Sequence, residues 1–145
     1  MSELGHWPIS VEIAVQWGEM DALNHVNNTV FLRWMETARM NYFIDCGFAE
    51  LYESEGIGPI LANINVDYIK PVEFPDTVTI HNTITRIGNA SFEMGYRITS
   101  SAMGGATVAT GTASCVVFDY KEGKSTPLPD TLRASILEFE DSGNA

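Results

Sequence analysis

The densest cluster of reactive side chains lies in one eight-residue segment, Asp21-Ala22-Leu23-Asn24-His25-Val26-Asn27-Asn28. It follows an apolar–polar alternation over 9–17, which is typical of a half-buried strand. It precedes apolar residues at helical spacing over 29–46, with Gly47 as the expected stop. We therefore expect the carboxylate of Asp21 and the imidazole of His25 to lie beside the start of a helix.

The helix start supplies the third component of this cluster. Asn27 or Asn28 is expected to cap the helix. The first N–H groups of a helix have no intrahelical acceptor and carry a partial positive charge. An oxygen that becomes negative in a transition state would fit there, against the backbone N–H of Asn28. The segment thus predicts a site that stabilises an oxyanion, with Asp21 as nucleophile or general base. The alternative for Asp21 is a local turn hydrogen bond, which is common for aspartate.

Length and composition predict a single domain over residues 1–145. The chain has 145 residues, 45% of them hydrophobic, and a mean hydropathy near zero, as in ordinary globular proteins. No apolar run is long enough to span a bilayer, and residues 1–6 lack the basic and apolar regions of a signal peptide. The expectation is a cytoplasmic protein without a membrane partner.

Charge and cysteine content exclude further classes. With a net charge of −11, the surface repels a phosphate backbone, so no nucleic-acid partner is expected. Only eight Lys and Arg residues are present, and an anionic ligand would need a local cluster of them. Cys46 and Cys115 form no Cys-x-x-Cys pair and are expected to pack as small hydrophobic groups. Asp21 and His25 are too few ligands for a structural zinc site, so no metal is expected.

The remaining pattern predicts an α+β fold with an antiparallel sheet of about five strands around one long central helix. Strands joined by short turns are antiparallel. The helix carries apolar residues over much of its surface and is expected to be mostly covered. Small residues on one face of the last long strand would let the helix approach closely. The predicted strands and their limits are 9–17, 60–69, a strand marked by Val78, Ile80 and Ile84, a strand from Phe92 to Thr99, and 107–120; a short helix is expected from Pro129.

The block Asp21-x-x-x-His25-Val26-Asn27-Asn28, followed by Phe31 and Glu36-x-Ala38-Arg39, resembles the hotdog-fold acyl-CoA thioesterases of the 4-hydroxybenzoyl-CoA thioesterase type. The resemblance covers roughly residues 9–120, and a similar block occurs in plant acyl-carrier-protein thioesterases. It implies a hotdog fold, with Asp21 acting on a thioester and no cofactor. It also implies a site between two subunits of a homodimer or homotetramer, with coenzyme A along the outer surface. Asn24 stands where the bacterial relatives usually have Gly.

Three residues are candidates for binding the substrate. Lys70 and Arg86 are expected at strand ends, where cations can reach phosphates. Ser91 belongs to the stretch after Arg86 that resembles a segment used near the nucleotide in relatives. The alternative for these residues is a solvated turn. His25 is expected to contact the acyl carbonyl, orient Asp21 or hold the loop backbone, and Glu36 is a minor rival for Asp21, because some hotdog thioesterases use a helix glutamate.

The sequence therefore predicts hydrolysis of an acyl-CoA, aliphatic or aromatic, to the free acid and coenzyme A. Asp21, His25 and Asn28 would form the catalytic site, and Lys70, Arg86 and Ser91 would bind the substrate. Two alternatives stay open at this point. The first is hydrolysis of acyl groups from acyl carrier protein, and the second is a non-catalytic hotdog module that binds an acyl-CoA.

Overall fold

The computed structural model of the chain describes residues 7–143. The expectation for residues 1–6 lies outside this range. The elements are β1 (Ile9–Ala14), a 3-10 turn (Trp17–Glu19), α1 (Asn28–Cys46), α2 (Phe48–Glu55), β2 (Ile57–Tyr68), β3 (Thr77–Ile87), β4 (Ser91–Ser100), β5 (Ala106–Asp119), β6 (Lys124–Ser125) and α3 (Asp130–Gly143).

One antiparallel sheet carries the strands in the order β1-β3-β4-β5-β2, with the two-residue β6 paired to β5. The helix α1 packs against β1 and β3 and contributes much of the core. This is the hotdog arrangement that the sequence predicts, and β2 lies at an edge of the sheet. The helix α2 was not predicted, although Gly47 and Gly56, both left-handed, mark its two ends.

The predicted close approach of helix and sheet is found at Gly111 of β5. A Cβ atom on Gly111 would lie 3.0 Å from the Cε of Met35 on α1 and 3.0 Å from the carbonyl oxygen of Asn65. Since Cβ atoms essentially never come closer than this, glycine leaves the room that the Met35 side chain of α1 occupies against β5. The helix is less covered than expected, because Met40 and Ile44 stay 49% and 59% exposed in the single chain.

Two strand predictions were wrong in detail. The first strand ends at Ala14, not at residue 17, because the chain turns into the 3-10 segment and leaves Trp17 73% exposed. In β2, a bulge at Ala62 lets Leu61 pair with Cys115 and Asn63 with Ser114. Uninterrupted alternation over 60–69 predicts that Ile60 shares one face with Ile64 and Tyr68, but the extra residue reverses the alternation and places Ile60 on the opposite side. Leu61 takes the side of Ile64 and Tyr68 instead.

Candidate active site

The loop between β1 and α1 is closed by a backbone ladder of its own. Met20 and Val26 form an isolated antiparallel bridge, and the N–H of Asp21 donates to the carbonyl of His25 at 2.8 Å. The turn between them needs one left-handed residue, which is Asn24 with φ of 64°. Asparagine adopts this conformation more readily than other residues with a Cβ atom, so Asn24 can replace the usual glycine.

One carboxylate oxygen of Asp21 accepts a hydrogen bond within the described part of the chain, and the other does not. Its Oδ1 accepts a hydrogen bond from the N–H of Leu23 at 2.9 Å, which is the local turn bond considered above. Its Oδ2 has no hydrogen-bond partner among residues 7–141. The side chain is half-buried. The turn bond therefore fixes the carboxylate while leaving an oxygen available to a reacting group.

The start of α1 presents an unused amide beside this carboxylate. Asn27 is the cap: its Oδ1 accepts from the N–H of Thr29 at 2.9 Å, and its carbonyl accepts from the N–H of Val30. The N–H of Asn28 has no acceptor among the described residues. The hydroxyl of Tyr68 donates to the carbonyl of Asn28 at 3.0 Å and ties this turn to β2.

A cavity of about 310 Å³ brings these groups together. It is the place where Asp21, His25, Asn28 and Lys70, four of the six predicted site residues, meet in one chain. The complete lining is Asp21, His25, Val26, Asn28, Phe31, Tyr68, Ile69, Lys70 and Pro71. The contribution of Tyr68 was missed, because the strand pattern indicates the face of an aromatic residue but not its hydrogen-bond partner.

His25 and Lys70 are held through their backbones, with their side chains at the cavity. The carbonyl of His25 accepts from Asp21, whereas its Nε2 lies 3.9 Å from a Glu73 carboxylate oxygen, beyond hydrogen-bond distance. Its ring makes no hydrogen bond to Asp21. The N–H of Lys70 donates to the carbonyl of Val108 at 3.1 Å, and its exposed side chain is within 4 Å of no carboxylate among residues 7–141.

Arg86 and Ser91 lie at the β3–β4 turn and are not part of the Asp21 cavity. Arg86 forms an exposed ion pair with Glu93 at 3.2 Å. The carbonyl of Ser91 accepts from the N–H of Gly88 at 2.7 Å and closes the turn. Arg86 also lines a separate cavity of about 430 Å³ with Arg133 of α3. Within one chain, Arg86 and Ser91 therefore lie apart from the four predicted site residues at the Asp21 cavity.

Other reactive groups are not arranged for chemistry. Burial raises the pKa of the Cys46 and Cys115 thiols to about 11, so both stay protonated and unreactive at neutral pH. Glu36, the minor rival, is exposed on α1 and does not line the Asp21 cavity. Within residues 7–143, no three His, Cys, Asp or Glu side chains gather as a metal site requires. No helix in the described range is both long and apolar enough to cross a membrane.

Comparison with known proteins adds the family. A sequence profile of the thioesterase-like superfamily matches residues 15–136. The chain is 26% identical over 131 residues to the long-chain acyl-CoA thioesterase FadM of Escherichia coli (strain K12), covering 90% of this chain and 98% of FadM. It is 24% identical over 101 residues to the 4-hydroxybenzoyl-CoA thioesterase of Pseudomonas sp. (strain CBS-3), covering 67% and 72%.

A solved structure supports the same relationship. The thioesterase from Thermus thermophilus, complexed with coenzyme A and Zn, is 31% identical to this chain with a TM-score of 0.81. The match covers 94% of this chain and 97% of that one. The predicted resemblance and the predicted fold are both confirmed by these similarities.

Proposed function

The chain belongs to the thioesterase-like superfamily, and we propose that it is an acyl-CoA thioesterase whose reaction takes place in the cavity around Asp21. One observation supports this location above all others. Asp21, whose Oδ2 is free, and Asn28, whose N–H is unused, line the same cavity, and hydrolysis of an acyl group requires such a pairing of base and donor.

The proposed chemistry uses the two groups in different roles. Asp21 either takes a proton from a water that attacks the carbonyl carbon, or attacks that carbon itself. The carbonyl oxygen becomes negative and accepts a hydrogen bond from the N–H of Asn28, a donor worth about 3–4 kcal/mol in comparable sites. The C–S bond then breaks and coenzyme A leaves as a thiolate, which needs no prior protonation. In the second route, water then cleaves the resulting anhydride, which releases the free acid and restores the carboxylate. His25 borders the same cavity and is proposed to contact the acyl carbonyl.

Substrate binding is proposed to combine both groups of predicted residues. Lys70 lies at the cavity and can attract the anionic substrate there. Arg86 and Ser91 are remote within the chain, so they are proposed to bind the nucleotide end of coenzyme A from a second copy. The alternative for both residues is a role in a solvated turn only. Arg86 already pairs with Glu93, and the Ser91 carbonyl already closes the turn.

The second copy is proposed to pair along β2 in a homodimer, or in a homotetramer built from such dimers. β2 is an edge strand, and edge strands leave backbone groups free for pairing. Large apolar side chains along this edge are exposed: Leu61 by 40%, Tyr68 by 46% and Ile69 by 53%. Met40 and Ile44 extend the apolar surface onto α1. A cytoplasmic location also stays a prediction.

The test is a substrate panel with release of free thiol as the readout. Purified protein is offered aliphatic and aromatic acyl-CoAs together with one acyl-carrier-protein thioester. Hydrolysis of acyl-CoA with little release from the carrier protein is expected. Preference for the carrier protein would favour the related carrier-protein activity. Acyl-CoA binding without thiol release on any substrate would instead identify a non-catalytic module.

A further inference from the structure

A second cavity, here called the distal cavity, lies away from Asp21. It has a volume of about 460 Å³ and is enclosed by the second half of α1, α2, the first half of β2 and Cys115 of β5. Apolar side chains such as Phe43, Phe48 and Leu61 form most of its wall. The reaction at Asp21 uses none of these residues, although Leu61 and Met40, which also line the cavity, belong to the surface proposed above to face the second copy.

One cation, Arg39, is built into the wall of the distal cavity. It is only 7% exposed, and its Nη1 donates to the hydroxyl of Tyr96 at 3.0 Å. No carboxylate oxygen of residues 7–141 lies within 4 Å of it; Glu53, the acid that lines the same cavity, is exposed on α2. A buried guanidinium with one neutral partner is costly, and it has further N–H groups to donate.

These remaining N–H groups face open space. The fully enclosed polar side-chain atoms that lack a partner among the described residues are Trp7 Nε1, Trp34 Nε1 and Asn82 Oδ1. The nitrogen atoms of Arg39 are not among them, although the residue as a whole is buried. The unpartnered side of the guanidinium therefore borders the cavities that Arg39 lines.

The seam between α1 and β2 runs from the distal cavity toward the Asp21 cavity, although the two linings share no residue. A smaller cavity of about 210 Å³ shares Arg39 and Leu61 with the distal cavity and is also lined by Leu32, Arg33, Glu36 and Ile64. Leu32 lies one helical turn beyond Asn28, and Ile64 lies between Leu61 and the end of β2. At the rise of an α-helix, Asn28 and Arg39 are separated by about 16 Å along the axis.

Resting on the proposed function, we propose that the distal cavity receives the far end of the acyl chain and that Arg39 binds a carboxylate there. The substrate class is then the coenzyme A monothioester of a long-chain dicarboxylic acid. The chain would follow the seam along Leu32 and Ile64, which Arg33 and Glu36 also line, and the terminal carboxylate would neutralise the Arg39 guanidinium through two parallel hydrogen bonds. An unsubstituted acyl chain would leave that charge without a partner.

The experiment compares two substrates of equal length, dodecanoyl-CoA and dodecanedioyl-CoA. The wild type is expected to show a higher kcat/KM for dodecanedioyl-CoA. Arg39→Met is expected to lower the ratio of the two kcat/KM values by at least about tenfold, as for loss of a charged hydrogen bond. Arg39→Lys should retain part of the preference, and Tyr96→Phe, which spares the charge, should change the ratio only a few-fold. An equal ratio in wild type and Arg39→Met overturns the inference.

A second measurement keeps the inference testable if Arg39→Met does not fold. Free dodecanedioate should inhibit the wild type competitively at a lower concentration than dodecanoate does, and equal inhibition would overturn the assignment. Failure of the proposed function has a different signature. Asp21→Asn would then hydrolyse both substrates as fast as the wild type, whatever the effect of Arg39.

Discussion

The Oδ1 of Asp21 accepts a 2.9 Å hydrogen bond from the backbone N–H of Leu23, two residues further along the same loop. Aspartates in turns make this bond without any catalytic role. Here the bond uses one oxygen and leaves the other free in a residue that shares its cavity with Asn28, so the structural and chemical interpretations of Asp21 are compatible.

This arrangement makes Asp21→Asn a selective probe. Asparagine keeps the Oδ1 acceptor for Leu23, so the loop is expected to fold, while the negative charge is lost. Turnover should fall at least about a hundredfold, as for loss of a general base. Steady-state thiol release with unchanged thermal unfolding measures this. Near-normal turnover on the best substrate would refute the role of Asp21.

Arg86→Ala is expected to raise KM for acyl-CoA while sparing kcat, because the proposed contact is with the nucleotide and not with the reacting carbonyl. The effect should weaken as salt is added, since exposed charges are screened within about 8 Å at physiological ionic strength. Glu93→Gln is the matched control. It removes the ion-pair partner but leaves the cation, so KM should stay constant or fall. An unchanged KM in Arg86→Ala removes this residue from the binding site.

Because Gly111 lies at the contact between α1 and β5 and Gly18 does not, replacing each glycine with alanine should change the free energy of unfolding by different amounts. Gly111→Ala forces the new Cβ against Met35 and the Asn65 carbonyl, and should lower the free energy of unfolding by about 1–3 kcal/mol. Gly18→Ala is the control, because a Cβ there meets nothing within 4 Å. Its effect should stay within about 0.5 kcal/mol. Chemical denaturation compares the two, and equal losses would contradict the packing argument.

The lowered pKa of His81 should make the free energy of unfolding depend on pH. Burial, and next the charge of Arg97, lower the pKa of His81 below its usual 6.5 in the folded chain. The unfolded chain therefore binds the proton more readily, so stability is complete above pH 6.5 and is lost as pH falls toward the folded pKa.

Replacing His81 with Gln removes this titration. Melting temperatures between about pH 7.5 and 5 should fall less steeply in the variant than in the wild type. Ser10→Ala serves as the control, because it deletes the 2.9 Å contact with His81 Nδ1 but keeps the imidazole. Parallel curves for wild type and His81→Gln would show that His81 does not carry the effect.

The fold was predictable because its signals are local. Alternation of apolar and polar residues indicates the strands, and helical spacing indicates α1. The small residues on one face of β5 indicate the close contact with α1 that is found at Gly111. The bulge at Ala62 was not predictable, since its cause is the pairing with β5 and not the residues of β2. The exposure of Trp17 was missed for a related reason: the chain leaves the sheet early while the alternation continues.

The candidate site was predictable to the extent that one short loop contains it. Asp21, His25 and Asn28 lie close in sequence, and the helix start that joins them follows from Asn27. Lys70 was proposed from its place at a strand end, but its position at the Asp21 cavity depends on how the end of β2 packs beside the start of α1, which the sequence pattern does not show. The distal position of Arg39 required the structure, because a guanidinium's burial depends on what three other elements leave open around it.

The extra residue at Ala62 also separates the two ends of β2. Because Leu61 already lies opposite Cys115 and Asn63 opposite Ser114, deleting Ala62 should restore a regular ladder in which Leu61 and Tyr68 both keep their sides of the sheet. Ala62 is therefore a position at which β2 can lose a residue while the side chains at both cavities keep their orientation.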